Sequence, residues 1–254
     1  MVGIDLSLLD GPGGRDGGRG SDAGSKVDAG LLDPCADMVV VPIAAQTCVD
    51  PTEVSRDAYA AFLAARGADT GGQSAACRFN TRFTPEASWP PAAGTGALPV
   101  TWVDWCDAAA YCSWRGKRLC GGLGGGSIAL FDAEDPARSE WTAICSADGD
   151  RKLPYGNDYL PGRCRDSGNG PVAVGATPGC EGGYPGVFDL SGNVSEWQDA
   201  CDDAQGASGG NDLCAVMGGA WASDPRDLEC DRAQEARRQS ASADRGFRCC
   251  ATPN

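Results

Sequence analysis

Apolar residues along this chain come in short bursts separated by glycine, proline and small polar residues, with no long periodic run. Residues 1–33 are dominated by Gly, Asp, Ser and Arg, as in Gly11-Pro12-Gly13-Gly14-Arg15-Asp16-Gly17-Gly18. Such a segment buries too little surface to offset its ordering entropy and reads as a disordered tether ahead of one domain over residues 34–254. From Cys35 the pattern changes. Residues 38–43 (MVVVPI) read as a strand of β-branched residues ended by a turn, and residues 47–49 as a second short strand. Ser55 is placed to cap a helix whose Tyr59, Phe62 and Leu63 share one face, with Val54 able to staple onto Tyr59. Residues 64–98 form an irregular loop in which Cys77, Phe79, Phe83 and Trp89 are the candidate anchors. A second helix starts at Asp104, with Asp107 in its first turn and Ala108, Tyr111 and Cys112 on one face. Residues 139–145 read as a third, short helix, and beyond Leu153 the chain is mostly turns and short segments.

Cysteine changes this picture most. Fourteen of the 254 residues are cysteine, an even number scattered singly from Cys35 to Cys250 with no CxxC pair. That pattern predicts a disulfide framework formed in an oxidising compartment rather than zinc knuckles. The local loops Cys164 to Cys180 and Cys201 to Cys214 look closed by disulfides, and Cys120 with Cys145 is a candidate bridge around the glycine-rich insertion at residues 121–126. Cys106 and Cys112 point in different directions on their helix, so different partners are expected. The adjacent Cys249 and Cys250 are not expected to bond each other.

Charge and missing residue types then exclude whole classes of function. A net charge of −14 argues against nucleic acid and anionic membrane as partners and suits calcium or a basic partner better. Histidine is absent, which removes His-based acid/base catalysis, Ser-His-Asp and Cys-His nucleophiles, and histidine-ligated metals. No apolar run approaches the roughly eighteen residues that a transmembrane helix needs. Residues 1–6 lack the charged start and apolar core of an export signal. Set against the cysteines, this predicts an extracytoplasmic protein, secreted, periplasmic or surface-anchored, whose export signal is absent from the numbered chain. Residues 122–127 (GLGGGS) lack the preceding strand and the Gly-Lys-Ser/Thr ending of a phosphate loop, so nucleotide binding is not expected.

The stretch Val187-Phe188-Asp189-Leu190-Ser191-Gly192-Asn193-Val194-Ser195-Glu196-Trp197 has the form of a small all-oxygen cation loop. An apolar entry, a Gly-Asn turn and an acidic residue precede an anchoring tryptophan. Before it come Glu53-Val54-Ser55 with Tyr59-Ala60-Ala61-Phe62, then Trp105-Cys106-Asp107-Ala108-Ala109-Ala110-Tyr111-Cys112, Lys117-Arg118-Leu119 and Tyr155-Gly156-Asn157. After it come Gly218-Gly219-Ala220-Trp221 and Gly246-Phe247-Arg248-Cys249. With these blocks in this order the chain resembles the formylglycine-generating enzyme family, or sulfatase-modifying factor domain family, in its cysteine-rich exported bacterial branch, over about residues 36–251.

The resemblance implies an α+β, C-type-lectin-like fold with little regular secondary structure, a small twisted antiparallel sheet and a few helices. It also implies a calcium site made by the side chains of Asp189 and Glu196 and the carbonyls of Gly192 and Val194. The family's oxidase chemistry uses two cysteines that hold copper(I), a soft ion that needs thiolates. Counted from Gly218-Gly219, their positions fall on Ser223 and Leu228, and Cys230 lies two residues beyond the second. The histidine-dependent iron branch of the family is excluded. The favoured expectation is a calcium-stabilised binding or surface-structural module without the oxidase chemistry, its ligand an unidentified protein or glycan at the cell surface. By analogy to the family's substrate groove, the ligand face comprises Trp221, Arg226, Arg237, Arg238 and Arg245. The alternative is an active oxidase, with copper, that converts a sulfatase cysteine to formylglycine through a Cys230 thiolate.

Overall fold

The structure, a computed structural model, describes residues 35–44, 46–202 and 209–253. The expected tether at residues 1–33 lies outside the described residues. Three α-helices and eight strands organise the described residues, none longer than eleven residues. Local capping fixes where each helix starts. In α1, Arg56–Arg66, the Ser55 hydroxyl accepts from the Ala58 N–H at 3.2 Å and Tyr59 and Phe62 are buried. In α2, Trp105–Trp114, Asp104 and Asp107 form a reciprocal capping box: the Asp107 N–H donates to Asp104 at 2.9 Å and the Asp104 N–H donates to Asp107 at 3.2 Å. In α3, Glu140–Ser146, Ser139 is the cap and Ala147 ends the helix in the left-handed region.

Two four-stranded sheets complete the frame. The first has the order β1 (Val39–Val41), β2 (Thr47–Val49), β8 (Cys249–Ala251), β3 (Arg118–Leu119), with every pair antiparallel. The second has the order β6 (Ala233–Arg237), β5 (Leu213–Met217), β4 (Ser195–Cys201), β7 (Arg245–Gly246), in which β7 runs parallel to β4. Residues from both ends of the chain meet in the first sheet, and the residues just before β8 carry it from one sheet to the other.

An aromatic cluster joins α1 to α2. Tyr59 stacks on Tyr111 with ring centroids 5.7 Å apart, and Phe247 meets Tyr111 edge-on at 5.4 Å. Phe83 and Trp89 anchor the long loop to it as expected, the Tyr59 hydroxyl donating to the Phe83 carbonyl at 2.7 Å. A second core gathers Trp141, Ile144, Leu190 and Met217 around α3.

All fourteen cysteines are paired. Cys164–Cys180 and Cys201–Cys214 close the two local loops as expected, and Cys106 and Cys112 have different partners, Cys77 and Cys249. Cys35 pairs with Cys48. The candidate bridge Cys120–Cys145 is corrected: Cys120 bonds Cys250 and Cys145 bonds Cys230. The reason is topological. β3 pairs with β8 at the chain end, which sets Cys120 against Cys250, whereas α3 packs Cys145 against the turn that follows residues 225–228. Among the described residues no helix is long and apolar enough to cross a membrane.

Candidate functional site

The loop at residues 187–194 enters β4 through three positive-φ positions: Asp189 at 60°, Gly192 at 74° and Asn193 at 56°. Only glycine fits at 192, because a Cβ there would stand 2.2 Å from the Arg165 carbonyl oxygen. Asn193 tolerates the left-handed backbone and is fully buried, and its amide serves both sides of the loop. Its Oδ1 accepts from the Val172 N–H at 2.9 Å and its Nδ2 donates to Glu53 Oε1 at 2.9 Å. The Ser191 hydroxyl donates to the Leu228 carbonyl at 2.7 Å, and the Trp197 indole N–H donates to the Val103 carbonyl at 3.2 Å. The loop is therefore a junction tying four distant segments.

At its end, the Glu196 carboxylate faces inward at 1% exposure and is gripped by Arg248 at 0%. Arg248 Nε donates to both carboxylate oxygens at 2.9 and 2.8 Å, Nη2 donates to Oε1 at 2.7 Å, and the Trp141 indole N–H donates to Oε2 at 2.8 Å. The other guanidinium hydrogens go to the Asp50 and Phe188 carbonyls at 3.1 and 2.8 Å. Burial alone would favour neutral arginine, but Glu196 beside it holds the guanidinium charged, its pKa raised above the usual value. Nearby lie two more buried carboxylates. Burial, then the charge of Asp189, pushes Glu53 well above the carboxylate range, and burial raises Asp189 despite the Gly175 N–H that it accepts. Glu53 Oε2 and Asp189 Oδ1 receive no hydrogen bond from any other group, and the Glu53 carboxyl lies within hydrogen-bonding reach of Asp189.

This geometry bears on the calcium ligands implied by the resemblance. Asp189 keeps one open oxygen, but both Glu196 oxygens are already taken by Arg248 and Trp141, and a cation beside them would meet the guanidinium charge. Among the described residues, no three His, Cys, Asp or Glu side chains are grouped to hold a metal. Of the set Asp189, Gly192, Val194 and Glu196, the Glu196 carboxylate is therefore already engaged, and Arg248 supplies positive charge there.

The proposed thiolate is corrected outright. Cys230 is bonded to Cys145, both sulfurs are buried, and no cysteine is free. Copper(I) has no thiolate to hold it. At the family's two cysteine positions, the Ser223 hydroxyl accepts from the Ala220 N–H at 2.9 Å and Leu228 is packed in the core.

The five residues of the expected ligand face are placed differently from one another. Trp221 is half-buried, with its indole N–H unpartnered, and Arg226 and Arg237 are exposed. Arg245 lies 4.7 Å over the Trp197 ring, its pKa lowered by burial. Arg238 is internal, paired with Asp212 at 2.6 Å and 5.1 Å over Trp105. Of the five, only Arg238 lines a cleft of about 900 Å³ between residues 127–131, the end of β4, and β6. Sequence reasoning missed this cleft. The only signal for it was the apolar Ile128-Ala129-Leu130-Phe131 after the glycine run.

The sequence profile of the sulfatase-modifying factor enzyme 1-like domain matches residues 40–253. The chain belongs to this family. The protein named inactive C-alpha-formylglycine-generating enzyme 2 of Mus musculus is 32% identical over 191 residues, covering 65% of this sulfatase-modifying factor chain and 55% of the mouse protein. The formylglycine-generating enzyme of Thermomonospora curvata is 30% identical over 213 residues, covering 66% of this chain and 63% of its own. The chain thus spans little more than half the length of these curated relatives. The solved structure of PvdO from Pseudomonas aeruginosa superposes with a TM-score of 0.55 at 18% identity, covering 86% of this chain and 96% of that one. That likeness speaks to the fold alone.

Proposed function

We propose that this sulfatase-modifying factor domain lacks the family's cysteine-oxidase chemistry and acts as a disulfide-braced extracytoplasmic binding or surface module. The observation that carries the reading is the Cys145–Cys230 disulfide, which leaves no sulfur to activate oxygen or hold copper(I). Ser223 and Leu228 at the family's cysteine positions support it. So does the likeness to mouse and bovine relatives whose names call them inactive. Seven disulfides suit a secreted, periplasmic or surface-held protein, because they persist where thiols are not kept reduced.

Alkylation of the native and then the denatured, unreduced protein, read by mass spectrometry, tests the reading together with an oxidase assay. The expected result is no labelled cysteine in either state, no copper(I) binding against a competing chelator, and no aldehyde formed on an unfolded cysteine-containing sulfatase peptide in air. Two labelled thiols including Cys230, with copper(I) bound, or aldehyde formation, would overturn it.

A further inference from the structure

The cleft beside β4 is built from two unlike walls. One is apolar: Ile128 and Leu130 are partly buried, and Phe131 stands 82% exposed, the most exposed large hydrophobic residue described. A single exposed aromatic is ordinary on a protein surface, but one that lines a cleft together with two aliphatic neighbours is an unfilled contact. The same cleft is lined by the exposed carboxylates of Asp202 and Glu235, which have no ion-pair partner among the described residues. Among the described residues Arg238 is the one cation lining the cleft, and its charge serves the buried Asp212. The surplus charge inside the cleft is therefore negative, as it is for the whole chain at −14.

The walls are also held in place. The Ile128 N–H donates to the Asp199 carbonyl at 3.0 Å and bridges in parallel to Ala200, while the Ser127 hydroxyl donates to Asp199 Oδ1 at 2.8 Å. The Cys201–Cys214 disulfide fixes the strand ends below. A preformed cleft does not have to be ordered when it binds, so more of the contact energy appears as affinity.

We infer that this cleft binds a basic, apolar peptide segment of another protein, its Lys or Arg side chains against Asp202 and Glu235 and an aromatic or aliphatic side chain against Ile128, Leu130 and Phe131. Anionic ligands are repelled. At about 900 Å³ the cleft is large for a single small amine and suits several side chains of an extended chain. The inference rests on the binding-module reading, but its failure is distinguishable, since the thiol count and aldehyde assay decide that reading without reference to the cleft.

The test is a fluorescence-anisotropy titration at physiological salt with the labelled peptide Gly-Arg-Leu-Arg-Phe-Lys-Gly. Two control peptides accompany it, one with Glu at every basic position and one with Ser in place of Leu and Phe. Saturable binding of the first peptide alone is expected. Asp202→Asn combined with Glu235→Gln should weaken it at least about tenfold, and Phe131→Ser by a similar factor, the equivalent of about 1.4 kcal/mol each. Both variants should keep the wild-type melting temperature, because all three residues are exposed. Asp158→Asn with Asp231→Asn, exposed acids outside the cleft, should change binding less than about twofold, the part that general surface charge supplies. No saturable binding, equal binding of the serine peptide, or undiminished binding by the Asp202/Glu235 variant would overturn the inference.

Discussion

Replacing Arg248 by methionine is the sharpest probe of how the loop before β4 is held. The guanidinium is fully buried and makes three contacts of 2.7 to 2.9 Å to a carboxylate that is itself buried. Methionine fills much of the volume but leaves Glu196 with the Trp141 indole as its one remaining donor, beside the buried Glu53 and Asp189. Removing one partner of a buried pair costs about 3–5 kcal/mol, because the other charge stays behind uncompensated. In a domain of this size each kcal/mol moves the melting temperature by about 2–4 °C, so Arg248→Met should lower it by roughly 6–20 °C. Scanning calorimetry of the unreduced protein measures this. The disulfides of Cys249 and Cys250, the two residues that follow, keep β8 attached, so the loss reports the charge pair rather than a detached strand. Arg248→Met combined with Glu196→Gln removes both charges and should melt closer to wild type than Arg248→Met does. A fall of less than about 1 kcal/mol in the single variant, or a double variant that melts lower still, would refute the view that Arg248 neutralises this cluster.

Two further outcomes follow from buried charge. Millimolar EDTA should leave the melting temperature within a degree of its value in calcium, since Glu196 already has its counter-charge; a fall of several degrees on chelation would show that the arginine yields its place to a metal ion. Asp104, at the start of α2, is raised by burial to about 6 from its usual 3.8, against the opposing Asp107 and Cys106 N–H groups. The native state holds that proton more tightly than the unfolded chain, so the group's contribution is full below about pH 4 and is lost as pH rises through about 6. Asp104→Asn, which keeps the cap acceptor, should flatten the urea midpoint between pH 4 and 7 and gain on the order of 1–2 kcal/mol over wild type at neutral pH. An unchanged pH profile would contradict it.

What could be read from sequence was whatever is local. Ser55 and Asp104 cap their helices because a cap acts on an N–H two or three residues away. Cys164–Cys180 and Cys201–Cys214, at separations of 16 and 13, were legible for the same reason. Cys120–Cys250 and Cys145–Cys230, at separations of 130 and 85, depend on which strands and helices meet and carry no local signal. Glu196 shows the same limit in chemical form. A buried acid before Trp197 announces a need for positive charge, but not whether an ion or an arginine 52 residues away supplies it. The cleft was invisible because its apolar wall sits in a glycine-rich insertion and its carboxylates come from β6 and the end of β4. Only the sheet brings these together.

The disulfide pattern also decides how the domain answers a pulling force. Tension applied between Cys35 and Ala251 would not travel along the peptide chain. It would cross Cys35–Cys48, run to Cys77, cross to Cys106, and pass from Cys112 directly to Cys249. Roughly 37 residues lie on that route, so the slack that force can draw out is on the order of 120 Å, against roughly 700 Å for the same span without cross-links. Residues 113–248, which hold both the Glu196 loop and most of the cleft, lie off the line of force. A domain strained between those points would lengthen by its α1 side and keep its binding face unloaded.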